Sequence, residues 1–200
     1  MKTIIKPIFY TALCSLAVLA SCKKDDKDAT NPSITTPQEQ ITTVILTGYN
    51  QDNPSETARQ FSVKWEDLDG NGGNAPTIDS LLLDTGVMYH VSVLLLDKTK
   101  TPFDTVSNEV KELNEIHQFF YTPSASLTAK MQVTRLDYDN NTPPLPVGLE
   151  FTINTKNAST FTIPVTGEFN VILSHYDGIP KTTSPSPESD VDINIPVKLK

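Results

Sequence analysis

Two short stretches decide the fold class of this chain: Ile41-Thr42-Thr43-Val44-Ile45-Leu46-Thr47 and Phe61-Ser62-Val63-Lys64-Trp65. In the second stretch Phe61, Val63 and Trp65 stand at every other position, so an extended backbone carries all three on one face. The first stretch has the same period of two and is rich in β-branched residues, which favour strands. Both stretches are therefore predicted to be β-strands.

Further β-rich runs occupy residues 78–83, 87–96, 127–138, 147–153, 159–165, 169–175 and 191–199. Clusters of Gly, Asn, Asp and Pro separate the runs, and these residues form turns. Nine short strands joined in this way predict a mainly β protein, an immunoglobulin-like or related antiparallel β-sandwich.

One segment, residues 107–116, departs from this period. Val110, Leu113 and Ile116 recur every third residue, which is typical of an amphipathic helix, and Ser107 is a suitable helix cap. We therefore expect a single short helix that covers an edge or one end of the sandwich.

The composition limits the possible functions. The chain has 200 residues, 38% of them hydrophobic, and a formal net charge of −8. This length allows one domain or two very small ones. A negative surface repels polyanions, so the charge argues against a nucleic-acid-binding protein.

Residues 1–21 have the layout of a lipoprotein signal peptide. A short basic opening precedes an apolar run from Ile8 to Ala20, which is shorter than the roughly 20 residues that span a bilayer. The run ends in Leu19-Ala20-Ser21 directly before Cys22, and this resembles the bacterial lipobox. We expect cleavage before Cys22 and lipidation of its sulfur, which would anchor the protein in a membrane.

Residues 22–39 are predicted to be a lipidated, disordered tether, and residues 40–200 the β-sandwich domain. The tether is charged and contains Pro and Thr, so it buries too little apolar surface to order itself. Lys24, Asp25 and Asp26 resemble the export tag of lipoproteins carried to the outer face of the outer membrane. The alternative is a solvated spacer without sorting meaning, on a protein that faces the periplasm.

A transition-metal site is one candidate for chemistry. Cys14 lies in the signal peptide and Cys22 would be lipidated, so no free thiol remains and cysteine-based sites are excluded. His117 and His175, completed by Glu115, are the residues expected to bind zinc or copper, because imidazole and carboxylate suit these ions. The alternative is that these histidines are hydrogen-bonded structural residues.

A calcium site is the second candidate. Asp67, Asp69 and Asn71 alternate and are followed by Gly72, as in the first half of a calcium loop. Ile78 stands where such a loop would carry its bidentate glutamate. The alternative is a plain glycine-rich turn between strands.

The aromatic run His117-Gln118-Phe119-Phe120-Tyr121 is the third candidate. Apolar walls with a few polar groups are typical of small-molecule pockets, so the run could line one. The alternative is a hydrophobic plug where the helix docks on the sheet.

Several stretches resemble a family of small exported outer-membrane lipoproteins of Flavobacterium- and Cytophaga-type Bacteroidota. They are Thr42-Thr43-Val44, residues 65–78, residues 117–121, Pro146-Val147-Gly148-Leu149 and Ser189-Asp190-Val191-Asp192-Ile193. The resemblance covers nearly the whole mature chain and implies an exported β-protein. The sequence departs from it at Leu173-Ser174-His175, where the family pattern has an arginine before the histidine.

Some members of that family carry the labels type 1 periplasmic-binding or GTP cyclohydrolase protein, and neither suits this chain. The first fold needs two α/β lobes with several helices, whereas one helix is predicted here. The second commonly needs a zinc held partly by cysteine, whereas no free thiol is expected in the mature chain.

The sequence contains no contiguous catalytic motif, so we expect a protein that is not an enzyme. We expect a surface-exposed outer-membrane lipoprotein that acts as a ligand-binding or accessory module of an envelope uptake system. Its possible partners are an outer-membrane transporter or a cell-surface ligand. The alternative is a structural or adhesive envelope protein without a small-molecule site.

Overall fold

The computed structural model describes residues 38–70 and 72–200. Within them the chain forms ten strands: β1 (Thr43–Asn50), β2 (Phe61–Glu66), β3 (Thr77–Ile78), β4 (Leu81–Leu83), β5 (Met88–Leu96), β6 (His117–Pro123), β7 (Met131–Arg135), β8 (Glu150–Thr155), β9 (Val165–His175) and β10 (Glu188–Leu199). It also forms two short α-helices, α1 (Val106–Glu112) and α2 (Ala125–Thr128).

The strands form two sheets. The larger sheet has the order β3-β2-β1-β5-β8-β7, and the smaller sheet has the order β4-β10-β9-β6. All pairs are antiparallel except β4 with β10. The predicted mainly β fold, an antiparallel sandwich with little helix, is confirmed.

The core lies between the inner faces of the two sheets. In β10, Val191, Ile193, Ile195, Val197 and Leu199 are buried and the residues between them are exposed. This period of two is the pattern of a strand with one face on the core and one in solvent. The aromatic rings of Phe119, Phe151 and Phe169 fill the core between the strands.

The helical segment begins and ends earlier than the sequence predicts. Thr105 takes the cap position of α1, and Val106 and Val110 are its buried residues. The Ser107 hydroxyl instead accepts a hydrogen bond of 2.6 Å from the backbone N–H of Leu95, which ties the helix to β5. No helix among the described residues combines the length and apolarity needed to cross a bilayer.

Two strand predictions and the interpretation of the aromatic run need correction. Residues 78–83 divide into β3 and β4, which belong to different sheets. Residues 117–121 form most of β6 rather than a plug behind the helix, because they pair with β9 along the full strand. Most of residues 159–165 lies outside strands: a 3-10 turn covers Ala158–Thr160, and β9 begins at Val165.

Candidate metal centre

The two histidines chosen from the sequence lie side by side at one end of the smaller sheet. In the pairing of β6 with β9, His117 stands directly opposite His175. Their ring centroids are 4.8 Å apart, and the rings meet edge to face at 75°. His117 is 0% exposed and His175 is 3% exposed, so both imidazoles are removed from solvent.

Asp190 joins them through an irregularity in β10. Ser189 pairs with Ser174 and Val191 pairs with Leu173, which leaves Asp190 as an extra residue without a partner on β9. Such a bulge shifts the alternation of side chains on one strand. Strict alternation would place Asp190 on the solvent face with Asp192, whereas its side chain is 0% exposed and contacts both histidines. Sequence reasoning missed Asp190 because it assumed regular alternation.

Glu39 completes the cluster from the segment directly before β1. Its side chain is 6% exposed and contacts both histidines, and the neighbouring Gln38 side chain donates a hydrogen bond to the carbonyl of Ser189. The sequence predicts Glu39 to be part of the tether, because residues 38 and 39 precede the period-two pattern. Nothing in the local sequence distinguishes Glu39 from the other acidic residues near the N-terminus.

The distances between imidazole nitrogens and carboxylate oxygens are short and nearly equal. His117 Nε2 lies 3.1 Å from Glu39 Oε2 and 3.4 Å from Asp190 Oδ2. His175 Nδ1 lies 3.2 Å from the same Glu39 oxygen and 3.3 Å from Asp190 Oδ1. One ligand atom from each of the four residues can be chosen so that all lie within 4.8 Å of one another. We call these residues the four-residue cluster.

The spacing of the four ligand atoms suits a four-coordinate metal ion. Zinc binds nitrogen and oxygen at about 2.0–2.1 Å, so the edges of its coordination tetrahedron are about 3.3–3.4 Å long. The four nitrogen–oxygen distances in the cluster run from 3.1 to 3.4 Å and match four of the six edges. The remaining nitrogen–nitrogen and oxygen–oxygen distances do not exceed 4.8 Å.

A hydrogen bond at Nδ1 of His117 orients its other nitrogen, Nε2, toward the proposed metal position. His117 Nδ1 lies 3.0 Å from the carbonyl oxygen of Leu113, the C-terminal cap residue of α1. A donor bond from Nδ1 to this carbonyl leaves Nε2 to face the carboxylates, and metal-binding histidines are commonly oriented in this way. Although Nε2 lies close to two carboxylate oxygens, it makes no aligned hydrogen bond within the described residues.

When no metal is bound, the opposite charges of His117 and its carboxylate neighbours shift the pKa values of His117 and Glu39. Burial lowers the pKa of His117, but the adjoining carboxylates of Asp190 and Glu39 outweigh burial and raise it to about 9. Burial raises the pKa of Glu39, but the neighbouring His117 imidazolium outweighs it and holds the pKa below its ordinary value of 4.5. In the metal-free protein His117 and Glu39 thus form an ion pair at neutral pH.

Glu115, the third ligand expected from the sequence, is not part of the cluster. α1 ends at Glu112, and Glu115 lies in the turn that follows, where it is exposed. Glu39 and Asp190 occupy the place expected for Glu115. His90, the remaining histidine, lies 2.8 Å from Glu150 and stacks on Tyr49, remote in sequence and sheet from the cluster.

Asp67 and Asp69, two of the three residues expected to bind calcium, make hydrogen bonds within the segment that follows β2. Asp67 accepts a hydrogen bond from the N–H of Gly70, and Asp69 accepts hydrogen bonds from the backbone and side chain of Asn74. Among the described residues neither carboxylate belongs to a group of three potential metal ligands. Asn71 lies outside the described residues. The geometry favours the plain glycine-rich turn.

A cleft of about 450 Å³ opens beside the four-residue cluster. Its lining contains Glu39 and Asp190, while neither histidine lines it. The two carboxylates therefore lie between the cleft and the buried imidazoles. Two further acids, Asp67 and Asp192, line the cleft together with Trp65. We call this feature the acidic cleft.

The predicted lipidation site Cys22 and the export tag Lys24, Asp25 and Asp26 lie outside the described residues. A comparison of the chain with protein-family models, curated proteins and solved structures gives no match. The resemblance to outer-membrane lipoproteins therefore stays a prediction, and the cluster must be interpreted from its own geometry.

The raised pKa of His117 predicts how stability depends on pH in metal-free protein. Protonated His117 stabilises the folded state fully below its unfolded pKa of 6.5, and this contribution is lost as the pH rises through about 9. We expect the free energy of unfolding to fall between these pH values in wild-type protein and to fall less in His117→Gln. Urea denaturation in the presence of a chelator measures the free energy of unfolding of both proteins at each pH. The same dependence on pH in wild type and in His117→Gln would contradict the ion pair.

Proposed function

We propose that this protein is a lipid-anchored envelope protein whose β-sandwich binds a divalent transition-metal ion. One observation carries the metal-binding part: two buried imidazoles and two carboxylates converge so that one ligand atom from each lies within 4.8 Å of the other three. The residues come from three strands and the segment before β1, so the fold, not local sequence, supplies the site.

The donor set favours zinc or copper over calcium or magnesium. Imidazole nitrogen suits zinc and copper, whereas calcium and magnesium take oxygen ligands. Two neutral imidazoles with two carboxylates would also balance the charge of a divalent ion. Copper binds nitrogen and oxygen sites more tightly than zinc, so the ion held in the cell depends on availability as well as affinity.

A structural role is the second candidate. The imidazole–carboxylate contacts of the metal-free cluster already connect the segment before β1 with β6, β9 and β10. Such a connection would suit a structural or adhesive envelope protein without a small-molecule site. The two candidates differ in one measurable property, the affinity for a divalent ion.

Titration calorimetry on purified protein without a polyhistidine tag distinguishes them. We expect one Zn²⁺ ion and one Cu²⁺ ion per chain, each with a dissociation constant below about 100 μM, which corresponds to roughly −5.5 kcal/mol. Glu39→Gln removes one ligand without touching a strand. Because the loss of an outer-shell partner already costs about 10–100-fold in affinity, we expect at least about a hundredfold loss.

His90→Ala is the matched control, since it removes a histidine that lies outside the cluster. The affinity of His90→Ala for Zn²⁺ should equal that of wild type. Circular dichroism should show the same β-structure in Glu39→Gln and His90→Ala. Wild-type affinity weaker than about 100 μM would reject metal binding and leave the structural role.

The anchoring part of the proposal rests on the sequence of residues 1–28. A basic opening, an apolar run and small residues before Cys22 support lipidation, and the adjoining Lys24, Asp25 and Asp26 support export to the cell surface. A lipid-anchored domain at the cell surface would present its metal site to the medium or to an outer-membrane transporter. If the charged run is only a spacer, the domain faces the periplasm.

Replacing Cys22 tests the anchor. In Cys22→Ala the acceptor of the lipid and the landmark for cleavage are lost, so the protein should remain an unprocessed precursor and fail to mature as a lipoprotein. Cys14→Ala is the matched control, because it removes the other cysteine and should process normally. Detergent partitioning and electrophoresis measure both properties. Normal maturation of Cys22→Ala would contradict the proposal.

A further inference from the structure

The acidic cleft contains two acidic residues that do not belong to the four-residue cluster. Two of its four acids, Glu39 and Asp190, contact the histidines, whereas Asp67 and Asp192 have no role as ligands. Among the described residues, no lysine, arginine or histidine lines the cleft. The remaining lining is polar or apolar, with Gln38 and Gln40 near the acids and Trp65 and Ile41 on the walls.

The cleft leads to a buried group without an aligned partner. Glu39 and Asp190 line it, and each contacts His117 Nε2, which is fully buried and makes no aligned hydrogen bond within the described residues. Asp192 is exposed on the solvent face of β10 at the rim of the cleft, and Asp67 is half-buried, whereas the side chains of Glu39 and Asp190 are 6% and 0% exposed. A cation arriving from solvent would therefore pass Asp67 and Asp192 before it reached the four-residue cluster.

We propose that the acidic cleft is the loading path of the metal centre, in which Asp67 and Asp192 attract divalent cations and raise their rate of capture. This inference rests on the proposed metal-binding function and adds two residues to it. Neither residue coordinates the bound ion, so both act on capture and not on retention.

The physical reason is the focusing of an electric field inside a cleft. Charges of one sign along low-dielectric walls raise the local concentration of counter-ions and can increase association rates by about 10–10³-fold. A metal ion exchanges its water for protein ligands only after it has arrived, so its capture rate scales with its concentration at the cleft floor. Once the ion is bound, the ligands alone set the rate of its release.

The other hydrogen bonds of the two steering acids leave them charged. Asp192 accepts a hydrogen bond of 2.8 Å from the Asn170 side chain, and Asp67 accepts one of 2.9 Å from the N–H of Gly70. Both bonds come from neutral donors, so they position the carboxylates without neutralising them. A second metal site is a poorer explanation, because the described residues contain one group of three or more potential ligands.

Stopped-flow measurement of zinc uptake tests the proposal. Protein is mixed with Zn²⁺ and a zinc-responsive dye at low ionic strength, and the fluorescence of Trp65, the single tryptophan, reports on the cleft independently. The double variant Asp67→Asn with Asp192→Asn should take up Zn²⁺ about tenfold more slowly than wild type. Its release rate should stay within about twofold of wild type, because the ligands are unchanged.

A second double variant, Asp52→Asn with Glu168→Gln, is the matched control. It changes the net charge equally, but both residues are exposed and neither lines the cleft. Glu168 stands seven residues before His175 on β9, or about 23 Å along the strand. Its uptake rate should equal that of wild type. The difference between the two double variants should shrink at high salt, because screening shortens the Debye length from about 30 Å at 0.01 M to about 8 Å at 0.15 M.

The possible outcomes are distinct. If wild-type protein takes up no Zn²⁺, the proposed function fails. If wild type takes up Zn²⁺ and the two double variants do so at the same rate, metal binding stands and the loading path is rejected. Faster release with unchanged uptake in the Asp67 and Asp192 variant would also reject it, since these residues would then be ligands.

Discussion

The pairing of β9 with a neighbour on each side is the constraint on which the site depends. β9 pairs with β6 through a register that places His175 opposite His117, and with β10 through a register that brings Glu188 opposite the same His175. A shift of one residue in either register would turn a whole strand to its other face. The buried side chains of β10 resist that shift, because it would expose the entire apolar row from Val191 to Leu199. Hydrophobic burial therefore fixes the positions of the polar cluster.

The two carboxylates of the cluster come from parts of the chain that do not follow regular strand pairing. Asp190 faces inward because a bulge interrupts β10 after Ser189. Glu39 reaches the cluster because the segment before β1 passes over the end of the smaller sheet, where the Gln38 side chain bonds to Ser189. Burial of four polar groups costs free energy unless they are paired or bind an ion. The ion pairs of the metal-free cluster offset part of this cost, and a divalent ion would satisfy all four residues together.

The sequence predicts the fold more completely than the site. Period-two runs such as residues 61–65 predict the sandwich, because a strand with one buried face has apolar residues at every other position. His175 can be placed on the core face by its spacing from Val171 and Leu173. Glu39 and Asp190 cannot be found in this way, because one lies before the first strand and the other breaks the alternation of its strand. Glu115 lies two residues before His117 in sequence, but it is exposed in the turn after α1 and does not join the cluster.

X-ray absorption at the zinc edge shows whether the four-residue cluster holds the metal ion proposed for it. Zinc-loaded protein should show four nitrogen or oxygen neighbours at about 2.0–2.1 Å, and outer-shell scattering from two imidazoles that decreases in His175→Gln. Six oxygen neighbours without imidazole scattering, or a spectrum unchanged by His175→Gln, would contradict the assignment of the ion to this cluster.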